Sequence, residues 1–333
     1  MVRLRLALLL LVAPACGRSS PQARPPSLGG GAVDPPLDAG ELADDLRATI
    51  LESYRAVSGG YEEAYLDGLV HDGRLVLIDV GPDDAIVGYD PMACRLRRQF
   101  PQRHLDIVSK SLEVHLARDL STAWSYDEIS YRVVQDGKRI VIPLRATGLY
   151  ERRDGRWLLV QEHVSYGIPD DEALRDGAPG RGIRPKSLGD HTPPGRRAME
   201  VRGILLKLIR DDDHGRLENV STEPDVLVLG SDPEREKRGG AVAGAATIRE
   251  ILGNDLTAGA RELRIQVGRT GTVAWAAGNV LVEGTRDDRR ISLTLRATWV
   301  LEWREKAWRV VQMHLSLPIA EERLLERILG PAL

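Results

Sequence analysis

Residues 144–165 read LRATGLYERRDGRWLLVQEHVS, and residues 295–316 read LRATWVLEWREKAWRVVQMHLS. The second stretch follows the first by 151 residues, and the offset persists upstream. Ala123-Trp124 falls on Ala274-Trp275, and Arg139-Ile140 on Arg290-Ile291. From Ser111/Glu262 to Ser165/Ser316 the copies align without a gap, and 18 of 55 pairs are identical. So long an internal repeat fixes the architecture before any motif does: two units of one fold in tandem.

Each copy closes on a hairpin. Residues 144–152 and 157–166 are rich in β-branched and aromatic side chains, and Arg153-Asp154-Gly155-Arg156 between them carries the Asp-Gly turn signal. Copy two has the weaker turn Glu305-Lys306-Ala307. Read at period two, one face of the last strand carries Trp157, Leu159, Gln161, His163 and Ser165, matched by Trp308, Val310, Gln312, His314 and Ser316. The other carries Leu158, Val160, Glu162 and Val164, matched by Arg309, Val311, Met313 and Leu315. Four of five positions on the first face are identical between copies, against one of four on the second. Shared ancestry alone does not favour one face.

Upstream, the pattern of each copy predicts helices, a short strand, a further helix and then four antiparallel strands. In copy one the helices are expected over residues 41–57, 61–69 and 90–99, the short strand over 75–80, and the long strands near 112–117 and over 122–134, 139–152 and 157–166. In copy two the helices fall over 199–209 and 247–252, the short strand over 226–229, and the long strands over 262–267, 272–283, 290–304 and 307–317. A charged, Gly-rich insertion occupies 234–243, and a terminal helix 320–329. The domain plan is a signal peptide at 1–15, a disordered tether at 16–39, a first domain at 40–169, a linker at 170–195, a second domain at 196–319, and a C-terminal helix and tail at 320–333.

The 333 residues are 42% hydrophobic and 29% charged, an ordinary globular balance. A net charge of −3 and a pI near 6.2 give no electrostatic case for nucleic acid. At the N-terminus, Arg3 and Arg5 precede the apolar run 6–12, which is too short to span a bilayer. Ala13-Pro14-Ala15 then precedes Cys16. This resembles a bacterial lipoprotein signal, although Ala13 stands where Leu is usual. It implies a cell-envelope protein held to the membrane only by lipid on Cys16, with secretion or the periplasm as the alternative. Residues 17–40 hold too few apolar groups to order themselves. Cys94 is then expected to be a lone thiol.

Several residues carry a family resemblance. They are the strand and turn Leu-Val-Leu-Ile-Asp-Val-Gly-Pro at 75–82 and its partner at 226–233, the Ala-Trp pairs, the Arg-Ala-Thr strand, and the closing Trp-x-x-Val-Gln-x-His-x-Ser. Each copy resembles a SnoaL-like domain of the nuclear-transport-factor-2-like superfamily. The resemblance implies an α+β fold of two cone-shaped domains, each a curved antiparallel sheet with helices on its concave face and a pocket inside. Such domains include isomerases, dehydratases, cyclases and non-catalytic binding modules, with no common catalytic set to carry over.

Candidate ligand-binding residues follow from chemistry. His163 and His314 can act as acid, base or hydrogen-bond donor, or can simply close the sheet. Gln161 and Gln312 share their face. Trp124, Trp157, Trp275 and Trp308 can floor a pocket or pack a core. Tyr126-Asp127-Glu128 becomes Ala277-Gly278-Asn279 in copy two, so acid–base groups there would serve the first domain alone. Arg145 and Arg296 are expected to pair with neighbouring acids such as Glu128 or Glu151. No spacing suggests a metal or cofactor.

Both imidazoles are expected inside their cones, leaving the apolar alternate faces to pack the domains as an intramolecular pseudo-dimer. The function expected is a membrane-anchored envelope lipoprotein binding a small apolar ligand or an envelope protein partner without catalysis. An isomerase, dehydratase or cyclase acting in the first cone is the alternative.

Overall fold

The computed structural model describes residues 38–100, 105–135, 137–169, 171–173, 183–210, 219–238, 256–286 and 288–330. The signal segment, Cys16, the tether up to residue 37 and the helix expected at 247–252 lie outside the described residues, and the last two residues of the expected tether, Asp38 and Ala39, open the first helix instead.

In copy one, α1 (Ala39–Gly59) opens on a capping box between Asp38 and Glu41 and buries the stripe Leu42, Leu46, Ile50 and Tyr54. It is followed by α2 (Glu62–Asp67), β1 (Val76–Ile78), β2 (Ala85–Val87), α3 (Tyr89–Gln99), β3 (Leu105–Ser109), β4 (Glu113–Leu116), β5 (Thr122–Gln135), β6 (Lys138–Arg153) and β7 (Arg156–Ser165). Copy two runs α4 (Arg196–Ile209), β8 (Leu227–Leu229), β9 (Lys237–Arg238), β10 (Leu256–Val267), β11 (Val273–Arg286), β12 (Arg289–Arg304) and β13 (Ala307–Ser316). The chain then ends its described part in α5 (Glu321–Leu329).

The first sheet has seven strands in the order β2-β1-β7-β6-β5-β3, with β4 also on β5. The second has six, in the order β10-β11-β12-β13-β8-β9. Both are α+β, with α1 packed on β3 and β4, and α4 on β10 and β11. The short strands β1 and β8 pair parallel to β7 and β13, so neither sheet is wholly antiparallel. Two strands, β3 and β4, replace the single one expected near residue 112. The second, β2, occupies a stretch that the Gly81-Pro82-Asp83 turn had obscured.

The period of two fails once in each final hairpin. Leu149 pairs with Gln161 but Tyr150 with Leu159, leaving Val160 as a bulge. Val300 pairs with Gln312 but Leu301 with Val310, leaving Val311 as its counterpart. Directly paired residues share a face, and the extra residue swaps the faces on its two sides. Trp157 and Leu159 therefore lie with Tyr150 on the helix-covered face, whereas Gln161, His163 and Ser165 lie on the opposite one. In copy two, Trp308 packs edge-on to its partner Trp303 at 5.5 Å, and Arg197 of α4 lies over Trp303.

Both hairpin turns use two residues at positive φ, the geometry that matches strand twist. Copy one supplies Asp154 (φ 49°) and Gly155 (φ 79°). Copy two places Glu305 (φ 50°) and Lys306 (φ 63°) there, where a Cβ is disfavoured. Lys306→Gly is expected to raise stability by about 1 kcal/mol, read as a higher urea midpoint at unchanged slope. A lower midpoint would show that the turn is not strained.

Candidate functional site

The two sheets meet on the faces carrying the Gln-His-Ser rows. His163 and His314 stack with ring centroids 3.9 Å apart and planes at 21°. His163 bonds Thr298 Oγ1 through Nδ1 (3.1 Å) and Ser316 Oγ through Nε2 (2.8 Å). His314 bonds Thr147 Oγ1 through Nδ1 (3.0 Å) and Ser165 Oγ through Nε2 (2.8 Å). Exchanging each residue for the one 151 positions away in the other copy turns one set into the other, so the contacts obey an internal twofold. Both rings are wholly buried.

The arginines also reach across to the other copy, though to carbonyls that the 151-residue offset does not relate. Arg145 donates to Ser231 O at 3.0 Å, and Arg296 to Asp79 O at 2.6 Å and Pro82 O at 2.5 Å. Ile168 N donates to Ser231 O and Ile319 N to Val80 O. Glu151, the acid expected to hold Arg145, pairs with Arg74 and Arg153 instead. Gln312 Nε2 donates to Ser125 O at 3.0 Å, whereas Gln161 Oε1 is buried without a partner. Tyr126 donates to Glu236 at 2.9 Å, and the Arg74 guanidinium lies over Trp275. Lys186, Leu188 and Gly189 fasten the connecting segment to Pro82 and Glu262.

This corrects the expectation that both imidazoles point into their cones. Of the nine candidates, Trp124, Tyr126, Gln161, His163, Trp275, Gln312 and His314 lie on the faces between the sheets. Trp157 and Trp308 lie on the helix-covered faces. Cys94 lies half-buried on α3, with Arg98 Nη2 3.2 Å from its sulfur.

Burial holds the His163 pKa well below 6.5, with Arg296 and Arg145 adding to the effect. Burial does the same to His314, followed by His163 and Arg145. Each neutral ring has one N–H, so it donates at one nitrogen and accepts at the other. Every hydroxyl around the stack therefore has work to do.

None of the nine candidates lines the cavity of the first domain. That cavity, of about 60 Å³, lies between the sheet and α1, α2 and α3. Its apolar wall includes Leu77, Met92, Leu96 and Val164, and its polar wall Tyr54, Asp79, Asp84, Arg95, Tyr131 and Glu162. Arg95 pairs with Asp84 at 2.6 Å. Burial, reinforced by Asp79, pushes Asp84 up to about 7, against the pull of Arg95 and Arg296. Burial, then Asp79, pushes Glu162 up to about 7 as well. Its carboxyl faces the cavity and makes no hydrogen bond or ion pair with a described residue. Asp127 lies on the cone side, bonded to Ser111 N and Tyr54, so the sheet separates it from His163.

A family model for the SnoaL-like domain matches the chain twice, over residues 46–169 and 203–320. The chain belongs to the SnoaL-like family. No curated protein matches its sequence. Among solved structures it is similar to a putative calcium/calmodulin-dependent protein kinase II association domain from Xanthomonas campestris (21% identity, 36% of this chain and 84% of that one, TM-score 0.33). It is also similar to an NTF-2-like protein of unknown function from Shewanella oneidensis (21%, 37% and 97%, TM-score 0.31). A third is a putative dehydratase of the NTF2-like family from Streptomyces avermitilis (11%, 39% and 99%, TM-score 0.36).

The two SnoaL-like copies differ most where the first is polar. Residues 151 positions beyond Tyr54, Asp79, Tyr131 and Glu162 are Leu205, Gly230, Val282 and Met313. That comparison, made on the less similar strand face, is the signal that would have found the cavity.

The stack predicts an acid limb of stability. Unfolded imidazoles take up protons below about pH 6.5, which the folded rings resist. Their contribution is complete above that pH and is lost as pH falls, by up to about 1.4 kcal/mol per unit per ring. Glu162 and Asp84, raised to about 7, act oppositely between their unfolded values and pH 7, so the comparison must be differential. Urea unfolding of the His163→Gln/His314→Gln protein is expected to lose part of the wild type's decline below pH 6.5. Parallel pH profiles would show that the rings titrate normally when folded.

Proposed function

We propose that this is an exported envelope protein that binds a small molecule in the cone of its first domain, the second domain being its structural partner in an intramolecular pseudo-dimer. One observation carries the reading: a cavity with apolar walls and an unpartnered carboxyl at Glu162, at a position where the second copy has Met313. Half-buried at the cavity wall, that carboxyl gives up hydration without gaining a partner, which costs stability, and a ligand that satisfies it accounts for its presence. The fit is to a compact ligand with an apolar body rather than to a protein partner. Methyl NMR with a survey of fragments of about four to eight non-hydrogen atoms tests it. Saturable shifts at Met92 with Met313 unmoved are expected. A survey that leaves Met92 unmoved contradicts the reading.

A second reading is favoured by the protonation of Glu162. A carboxyl poised near pH 7 beside an apolar wall suits proton transfer, as an isomerase, dehydratase or cyclase requires. Glu162, not His163, would then be the acid–base group.

Anchoring through Cys16 rests on the signal pattern alone. No described helix is long and apolar enough to cross a membrane. A cysteine sulfur in a thioether to lipid cannot also join a disulfide, so the sulfur itself is the test. A fatty-acid probe is expected to label the wild type in cells and not Cys16→Ser. Equal labelling of the two, or mass spectrometry finding Cys16 disulfide-linked to Cys94, would contradict lipid anchoring.

A further inference from the structure

We propose that the first-domain cavity takes a small organic cation whose ammonium group sits against Glu162. The inference rests on the small-molecule reading above and names the ligand's class.

Charge is the first argument. The cavity wall carries three carboxyls, Asp79, Asp84 and Glu162, against one guanidinium, Arg95. Arg95 is already engaged by Asp84. Arg296 approaches from the other copy and donates to the carbonyls of Asp79 and Pro82. An anion would face the remaining carboxyls. A purely apolar ligand would cut Glu162 off from water and leave it no partner. A cation supplies the missing donor and a compensating charge.

Shape is the second. At roughly 10–15 Å³ for each water-sized occupant, about 60 Å³ holds four to six non-hydrogen atoms. Tyr54, Tyr65 and Tyr131 give the wall aromatic rings, which favour cations over neutral isosteres. Leu77, Met92, Leu96 and Val164 offer the apolar part of the ligand a surface.

The groups packed toward Glu162 are Tyr54 from α1, Tyr65 from α2, Asp79 and Asp84 from β1 and its following turn, Arg95 from α3, Tyr131 from β5 and Tyr150 from β6. Burial holds the Tyr54 and Tyr150 phenols above their ordinary range, so they stay neutral. The carboxyls are then the groups that exchange a proton when a cation enters. Affinity for a permanent cation should rise with pH up to about 7, as the proton on Glu162 ceases to compete.

Isobutylammonium and isobutanol share a size and differ in charge, and both can be titrated into the full chain while Met92 is followed by NMR. The cation is expected to bind the wild type more tightly at pH 7.5 than at pH 5.5. Glu162→Gln should weaken it roughly 10- to 100-fold, and isobutanol by less than about threefold. Glu162→Met, a residue the fold accepts at the matching Met313, should repeat the loss. Isobutanol binding as tightly as the cation, with Glu162→Gln indifferent, overturns the cation class while leaving the small-molecule reading standing. Failure of isobutylammonium to bind the wild type overturns the class too, and the fragment survey then decides the wider reading separately.

Discussion

Two neutral imidazoles lie face to face between the sheets, and each is held by a threonine and a serine from the other copy. Placing polar groups between two sheets is costly unless every donor meets an acceptor. For the histidines and the threonines and serines around them the condition is met because the row faces a second copy of itself. Whatever one strand lacks, its counterpart supplies, as in the self-complementary contact of a symmetric dimer. The Arg145 and Arg296 bonds to carbonyls of the other copy extend the contact to the rim. The sheets are thereby fixed back to back, and each cone opens away from the shared face.

That arrangement leaves the two interiors free to differ. Between the sheets, the mutually bonded Thr147, His163 and Ser165 recur as Thr298, His314 and Ser316, since a change in one would strand a partner in the other. The helix-covered faces carry no such obligation. Copy one retains tyrosines, carboxyls and a cavity, while the matching positions of copy two hold Leu205, Val282 and Met313. A duplicated domain can give one half over to structure once the contact between halves no longer depends on what either cone contains.

Much of the fold is legible in the sequence. The 151-residue offset, the α1 stripe and the Asp154-Gly155 turn all follow from local patterning, and the SnoaL-like match covers both halves. Two features were hidden. The bulges at Val160 and Val311 swap faces within a strand, and nothing in strict alternation marks where an extra residue sits. The short strand β2 has three residues beside a turn, too few for a period to register. The site was misread for a related reason. Identity between copies at Gln161, His163 and Ser165 points to a pocket only if the face opposite the row is apolar and cannot supply it with partners. The face opposite is the matching row of the other copy. The carboxyl that faces the cavity, Glu162, sits where the copies disagree.

Long-range nitrogen–proton NMR of the imidazole rings at pH 5.5 tests the account most directly. Both His163 and His314 are predicted to be neutral there, each with a single N–H, and to show strong cross-relaxation between their ring protons. Two protonated rings titrating near the ordinary histidine value, with no contact between them, would contradict it.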